Sequence, residues 1–179
     1  GCESDWGNAT ILVKPTPATP ALNSNGPVCE GDDVILSAPS NPGWVYEWTN
    51  DAGDVVGNDA TVLLVDALPS QSGTYTLKVE EAGCPAVPAQ ISVTINAKPN
   101  APAIVNNGPV CEGETLQFEG EIVAGATYIW TDINGSVLGN NAVYSINNSN
   151  PAHSGIYYLE IEVNNCFSDK SSSNAIVYG

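Results

Sequence analysis

The sequence predicts an all-β protein made of two like β-sandwiches in tandem, and three observations carry that prediction. First, the chain repeats every 82 residues: Asn25-Gly26-Pro27-Val28-Cys29-Glu30-Gly31 returns letter for letter as Asn107-Gly108-Pro109-Val110-Cys111-Glu112-Gly113. Trp48 returns as Trp130, and Cys84 as Cys166. A fixed period of this size marks tandem units. Second, apolar residues alternate with period two in short runs, and no stretch carries a helical period. Third, Gly, Pro, Asn and Asp break those runs at intervals of about 8–12 residues, the spacing of sandwich strands.

In the first full unit the runs are 33–38, 44–49, 54–56, 61–65, 73–80 and 90–95. In the second they are 115–120, 126–131, 136–138, 142–146, 155–163 and 174–178. Six runs are read in each unit, and about seven short strands per unit fit a β-sandwich. Ile11–Lys14 aligns with Val93–Asn96, so residues 1–15 read as the last strand of a preceding repeat. Residues 16–97 then form repeat 1 and residues 98–179 repeat 2. Stepping back one period from Cys84 lands on Cys2 (84 − 82 = 2), which fits a window from a longer array. The junctions, Pro15-Thr16-Pro17-Ala18-Thr19-Pro20 and Lys98-Pro99-Asn100-Ala101-Pro102, are proline-rich and favour extended, semi-rigid spacing.

Composition narrows the function. Twenty acids face four lysines and no arginine, for a net charge of −16. Nucleic acid requires a basic footprint, so it is not an expected partner. Docking on an anionic membrane is disfavoured for the same reason, and no run is long and apolar enough for a membrane helix. Cysteines held in register with the repeat point to disulfides and an oxidising, extracellular setting.

Catalytic chemistry is thinly supplied. The single histidine, His153, is replaced by Gln71 in the other repeat. No Ser-His-Asp set, phosphate loop or His-Glu-x-x-His motif can be assembled, so no enzyme and no resident cofactor are expected. Gly31-Asp32-Asp33 resembles a metal pair by letters, but its counterpart is Gly113-Glu114-Thr115, and a polar turn is the simpler reading. Asp51, Asp54 and Asp59 are a weak Ca²⁺ candidate, because oxygen donors cluster in their loops. Asp and Asn also fill such turns for backbone reasons alone. Of the tryptophans, Trp48 and Trp130 read as core residues. Trp44, opposite Ala126, reads as an exposed loop residue, and with Trp6 it is the weak basis for a sugar-stacking surface.

Gly31-x-x-Val34-x-Leu36, then Trp48, then Ser72-Gly73-Thr74-Tyr75-x-Leu77 resembles the immunoglobulin-like pattern. The second repeat matches it with Gly113-x-x-Leu116-x-Phe118, Trp130 and Ser154-Gly155-Ile156-Tyr157-x-Leu159. The resemblance implies tandem immunoglobulin-like sandwiches laid end to end. Trp48 and Trp130 would sit on strand C, and Tyr75 and Tyr157 would tie down the E–F corner. The pattern departs at the core cystine, whose places hold Ala38 and Leu77, then Gly120 and Leu159. Val-Cys-x-Gly and Gly-Cys further resemble the Ig-like and PKD-like repeats of long Bacteroidota surface proteins. Those proteins are exported by type IX secretion, gliding-motility adhesins among them.

Immunoglobulin strand order would place Cys29 and Cys84 at opposite poles of one unit. It therefore favours a Cys29–Cys166 bridge between repeats, with Cys2, Cys84 and Cys111 pairing elsewhere. Cys29–Cys84 and Cys111–Cys166 within repeats remain the alternative. The function implied is a non-catalytic stalk or spacer of an extracellular cell-surface adhesin. Its partners would be neighbouring repeats, with surface glycans or other cell-surface proteins as further candidates. A carbohydrate-binding module and the accessory region of a secreted enzyme are the rival readings.

Overall fold

A computed structural model describes Cys2, Asn8 and residues 10–179. The first repeat contains β1 (Asn23–Ser24), β2 (Val28–Cys29), β3 (Val34–Ser37), β4 (Trp44–Thr49), β5 (Val55–Gly57), β6 (Thr61–Leu64), β7 (Gly73–Glu81), β8 (Cys84–Pro85), β9 (Ala89–Val93) and β10 (Ile95–Asn96). The second contains β11 (Ile104–Asn106), β12 (Val110–Cys111), β13 (Leu116–Gly120), β14 (Thr127–Thr131), β15 (Val137–Gly139), β16 (Val143–Ile146), β17 (Gly155–Val163), β18 (Cys166–Phe167), β19 (Ser171–Ala175) and β20 (Val177–Tyr178). Two single 3₁₀ turns, Pro69–Gln71 and Pro151–His153, are the helical segments among the described residues.

The residues pack as two compact units. One takes Asp33–Asp66, Gln71–Thr94 and the described residues before Pro27. The other takes Ile95–Gly179 with Pro27–Asp32 and Ala67–Ser70. In the first unit, one sheet has the order β1-β3-β6; the other has β5-β4-β7, with both β8 and β9 on the far side of β7. The second unit repeats this as β11-β13-β16 and β15-β14-β17, with β18 and β19 on β17. It also holds two short parallel ladders, β2 with β10 and β12 with β20.

Burial follows the pleat. Along β3, Val34 and Leu36 are buried while Ile35 is exposed; along β7, Tyr75, Leu77 and Val79 point inward. Alternation of this kind gives each sheet one apolar face, which is stable only when covered by the other. In the second unit Leu116 and Phe118 of β13 meet Tyr128 and Trp130 of β14 and Tyr157, Leu159 and Ile161 of β17 in one core. Phe118, Trp130, Tyr144 and Tyr157 form an aromatic group with centroid separations from 4.4 to 6.3 Å. The first repeat has Leu36 and Val62 where the second has Phe118 and Tyr144, so its core is more aliphatic.

Ile11, Leu12 and Val13 belong to no strand and are largely exposed. Their counterparts lie in and beside β9 and β10, which pair with β7 and β2.

Ser149 carries a fully buried hydroxyl that finds no partner among the described residues. The equivalent position in the first repeat is Ala67, also fully buried. An unsatisfied buried hydroxyl carries a desolvation penalty of about 1–3 kcal/mol. Ser149→Ala is therefore expected to raise stability by roughly 1 kcal/mol, read as a higher urea midpoint at unchanged m-value.

Candidate functional site: the cysteine turns and their supports

The repeated heptapeptide builds the same corner twice. The Asn25 side chain accepts the Ile35 N–H at 2.8 Å and donates to the Asp33 carbonyl at 2.9 Å. Asn107 does the same with Gln117 and Thr115 at 2.8 and 2.9 Å. Cys29 and Cys111 then end short strands beside Asn96 and Tyr178. From each cysteine the chain enters a four-residue turn whose third residue, Gly31 or Gly113, has φ of +88° or +90°. The fourth residue closes it, since Asp32 N–H donates to Cys29 O and Glu114 N–H to Cys111 O. Positive φ at that place is the type II turn requirement that selects glycine. The closing acid is used as well: Asp32 accepts the Cys29 N–H at 3.1 Å and Glu114 the Cys111 N–H at 2.7 Å. Asp33 instead accepts the Asp66 N–H at 3.0 Å. Gly31-Asp32-Asp33 is thus a turn whose carboxylates are engaged with backbone.

Cys29 and Cys166 form a disulfide across 137 residues of sequence, with Cα atoms 5.6 Å apart. Both lie in the second unit. Around the bond, Asn96 Nδ2 donates to the Asn164 carbonyl at 3.3 Å, and Asn165 O lies 3.5 Å from the Cys29 sulfur. Close by, Lys98 N–H donates to Glu30 at 3.3 Å, while Lys98 Nζ pairs with Asp169 at 2.7 Å. Cys2, Cys84 and Cys111 are free thiols; Cys111 is exposed and Cys84 half-buried.

The alternative pairings Cys29–Cys84 and Cys111–Cys166 are therefore corrected. The reason is visible in the second repeat. Cys111 pairs alongside Tyr178, three residues beyond Ala175, which faces Gly155 at the start of β17; Cys166 faces Val163 at the end of β17. Eight residue steps at ~3.3 Å put those two ends of β17 about 26 Å apart, far beyond the ~4.4–6.8 Å a disulfide spans.

The remaining singled-out residues are structural. The indole N–H groups of Trp48 and Trp130 donate to the carbonyls of Asp59 and Asn141 at 3.0 and 2.8 Å, and both rings are fully buried. The Tyr75 and Tyr157 hydroxyls donate to the carbonyls of Gln71 and His153, four residues back, at 2.8 and 2.9 Å. Burial raises both phenols above their ordinary pKa, with Asp51 adding to it at Tyr75, and Tyr144 and Asp132 at Tyr157. His153 Nδ1 accepts the Asn150 N–H at 3.0 Å, and Asn150 Oδ1 accepts the Ala152 N–H, so the imidazole completes a capping box. A ring nitrogen doing what a Glu or Gln usually does gave no sequence signal.

Where the core cystine would sit, a Cβ on Gly120 would lie 2.5 Å from Leu159 Cδ2. The leucine fills that space, and glycine is the residue that leaves room for it.

Asp51 accepts the Thr74 N–H, Asp54 accepts from Asn50, and the Asp59 carbonyl accepts the Trp48 indole. No group of three or more acids, cysteines or histidines able to hold a metal ion occurs among the described residues. In the matching loop, Asp132 accepts the N–H groups of Ser136 and Asn134, which hold its carboxyl below the usual range. Trp44 is not a loop residue: it opens β4, is half-buried, lies with its ring tilted 52° to that of Tyr46 at 6.1 Å, and donates to Glu81. Trp6 lies outside the described residues.

No family model matches the sequence, and no curated protein matches it either. Solved structures do. A chain of the crystal structure of a mouse coronavirus receptor-binding domain complexed with its murine receptor superposes with a TM-score of 0.58 at 14% identity. That match covers 88% of this chain and 99% of that one. A marsupial T cell receptor gives 0.57 at 14% identity, covering 88% and 72%. Extracellular domains 3–5 of Drosophila OTK give 0.52 at 16%, covering 93% and 61%. At these identities the likeness is one of fold, and the fold is all-β and immunoglobulin-like in both halves of the chain.

Proposed function

We propose that this chain is a non-catalytic spacer segment of a long extracellular surface protein. Residues 16–97 and 98–179 are its repeating domains, and residues 1–15 close a preceding one. The carrying observation is the Cys29–Cys166 disulfide, which joins a residue of one sequence repeat to a residue of the next. A cross-link of that kind contributes little to recognition. It removes the 136 residues between the two cysteines (137 − 1 = 136) from the load-bearing covalent path. Disulfides persist outside the cytosol, which supports an extracellular setting. Val-Cys-x-Gly and Gly-Cys support a place among Bacteroidota adhesin-type repeats exported by type IX secretion. Adhesion through other parts of such a protein needs reach and stiffness from segments like this one. Surface glycans and other cell-surface proteins are the ligands such a protein would present to.

The test is mechanical. Single molecules held by the two termini are stretched with and without a thiol reductant. Reduction is expected to add ~450–490 Å of contour length, from 137 residues at about 3.3–3.6 Å each. Equal full extension under both conditions would sink the spacer reading. Binding of the oxidised chain to immobilised glycans would favour the recognition module instead.

A further inference from the structure

Cys84 and Cys111 carry no disulfide, yet each reproduces the local build of a cysteine that does. Cys111 has the strand, the positive-φ glycine turn and the carboxylate-held N–H of Cys29. Cys84 has the hairpin of Cys166. Each follows a two-residue turn with both residues at positive φ, Ala82-Gly83 (50° and 84°) and Asn164-Asn165 (51° and 65°). Each faces the last residue of the strand before that turn: Glu81↔Cys84 and Val163↔Cys166.

We propose that Cys111 and Cys84 are complementary docking positions, each of which takes a further copy of this repeat. Cys111 takes the hairpin cysteine of one copy, and Cys84 takes the pre-turn cysteine of another. The inference rests on the spacer reading and names its partner. The formed bond serves as the template. There the Asn164 carbonyl of the hairpin accepts from the Asn96 side chain, and Asn165 O lies 3.5 Å from the Cys29 sulfur. Ala82-Gly83 offers the same backbone groups irrespective of side chain. Tyr178, exposed, stands where Asn96 stands in the template.

Bond formation needs an oxidant, here a small disulfide such as oxidised glutathione. The Cys84 thiolate attacks it, forming a mixed disulfide and expelling one glutathione thiolate. The Cys111 thiolate then attacks the Cys84 sulfur and expels the second. Two protein thiols are oxidised and one glutathione disulfide is reduced to two thiols.

Two variants of the full chain test this: Cys2→Ser/Cys84→Ser, which keeps Cys111, and Cys2→Ser/Cys111→Ser, which keeps Cys84. They are mixed in equal amounts in a glutathione redox buffer at 1 M salt. The Debye length there is about 3 Å, so the −16 charge of each copy is screened. Cross-linked dimers are counted by mass under non-reducing conditions. Complementary positions predict that roughly nine-tenths of dimers are the mixed Cys84–Cys111 species, against about one-half for indifferent thiols. A mixed fraction near one-half, an excess of like pairs, or no cross-link while Cys29–Cys166 forms overturns this proposal alone. A missing Cys29–Cys166 peptide removes the template and overturns the spacer reading with it.

Discussion

Trp130→Ala is expected to lower stability by about 4 kcal/mol. Replacing a large buried aromatic by alanine typically costs about 3–5 kcal/mol through lost transfer energy and the cavity left behind. Trp130 belongs in that range because its ring is fully buried among Phe118 and Tyr144, with centroids 5.8 and 6.3 Å away. The substitution also orphans the Asn141 carbonyl that the indole N–H satisfies at 2.8 Å, which adds roughly 1 kcal/mol. Relaxation is limited, since Gly120 and Leu159 are already interlocked beside the ring. Trp130→Phe separates the two contributions: it keeps most of the bulk and loses the donor, so it should cost about half as much. Urea unfolding followed by circular dichroism reads both. A loss below ~1 kcal/mol for the alanine variant would mean that the ring does not organise this core.

How much of this was legible in the sequence can be judged strand by strand. Trp44–Thr49 and Gly155–Val163 coincide with runs read from alternation alone, because long strands with one buried face write that face into every second residue. Two- and three-residue strands such as Asn23–Ser24, Val28–Cys29 and Ile104–Asn106 are too short to carry a period. They exist because a neighbour supplies the pairing, as Leu36 and Ser37 do for Ser24 and Asn23. Ser171–Ala175 shows the same limit in a longer element. Four of its five residues are polar, and the reading began only at Asn174, yet five register pairs with β17 hold it in place. At the cysteine turns the letters were present in both repeats and the mechanism was not. Glycine two residues after the cysteine and an acid three after encode a turn in which the carboxylate grips the cysteine's own N–H. That acid is the signal that would have separated a capping role from a metal role at Asp32.

The second large effect follows from removing the cross-link. Cys29→Ala/Cys166→Ala is expected to lose about 5 kcal/mol relative to the oxidised chain, the loop-closure value for 137 residues at 25 °C. Entropy alone would not have selected this bond. A loop of 55 residues, as between Cys29 and Cys84 (84 − 29 = 55), gives about 4 kcal/mol on the same model. The difference of roughly 1 kcal/mol is small beside the strain of drawing together Cys111 and Cys166, also 55 residues apart (166 − 111 = 55), across the about 26 Å between the two ends of β17. Geometry therefore fixes the partner, and loop length fixes the size of the effect. Alanine is the right replacement at Cys166, which is 1% exposed, because serine would add a buried hydroxyl of its own. Cys84→Ser and Cys111→Ser serve as controls and should each shift stability by less than ~0.5 kcal/mol, since neither thiol is bonded. Adding a reductant to the parent chain should reproduce the double variant and leave the double variant itself unchanged. If the parent chain is as stable reduced as oxidised, the Cys29–Cys166 bond closes no loop that the folded chain depends on.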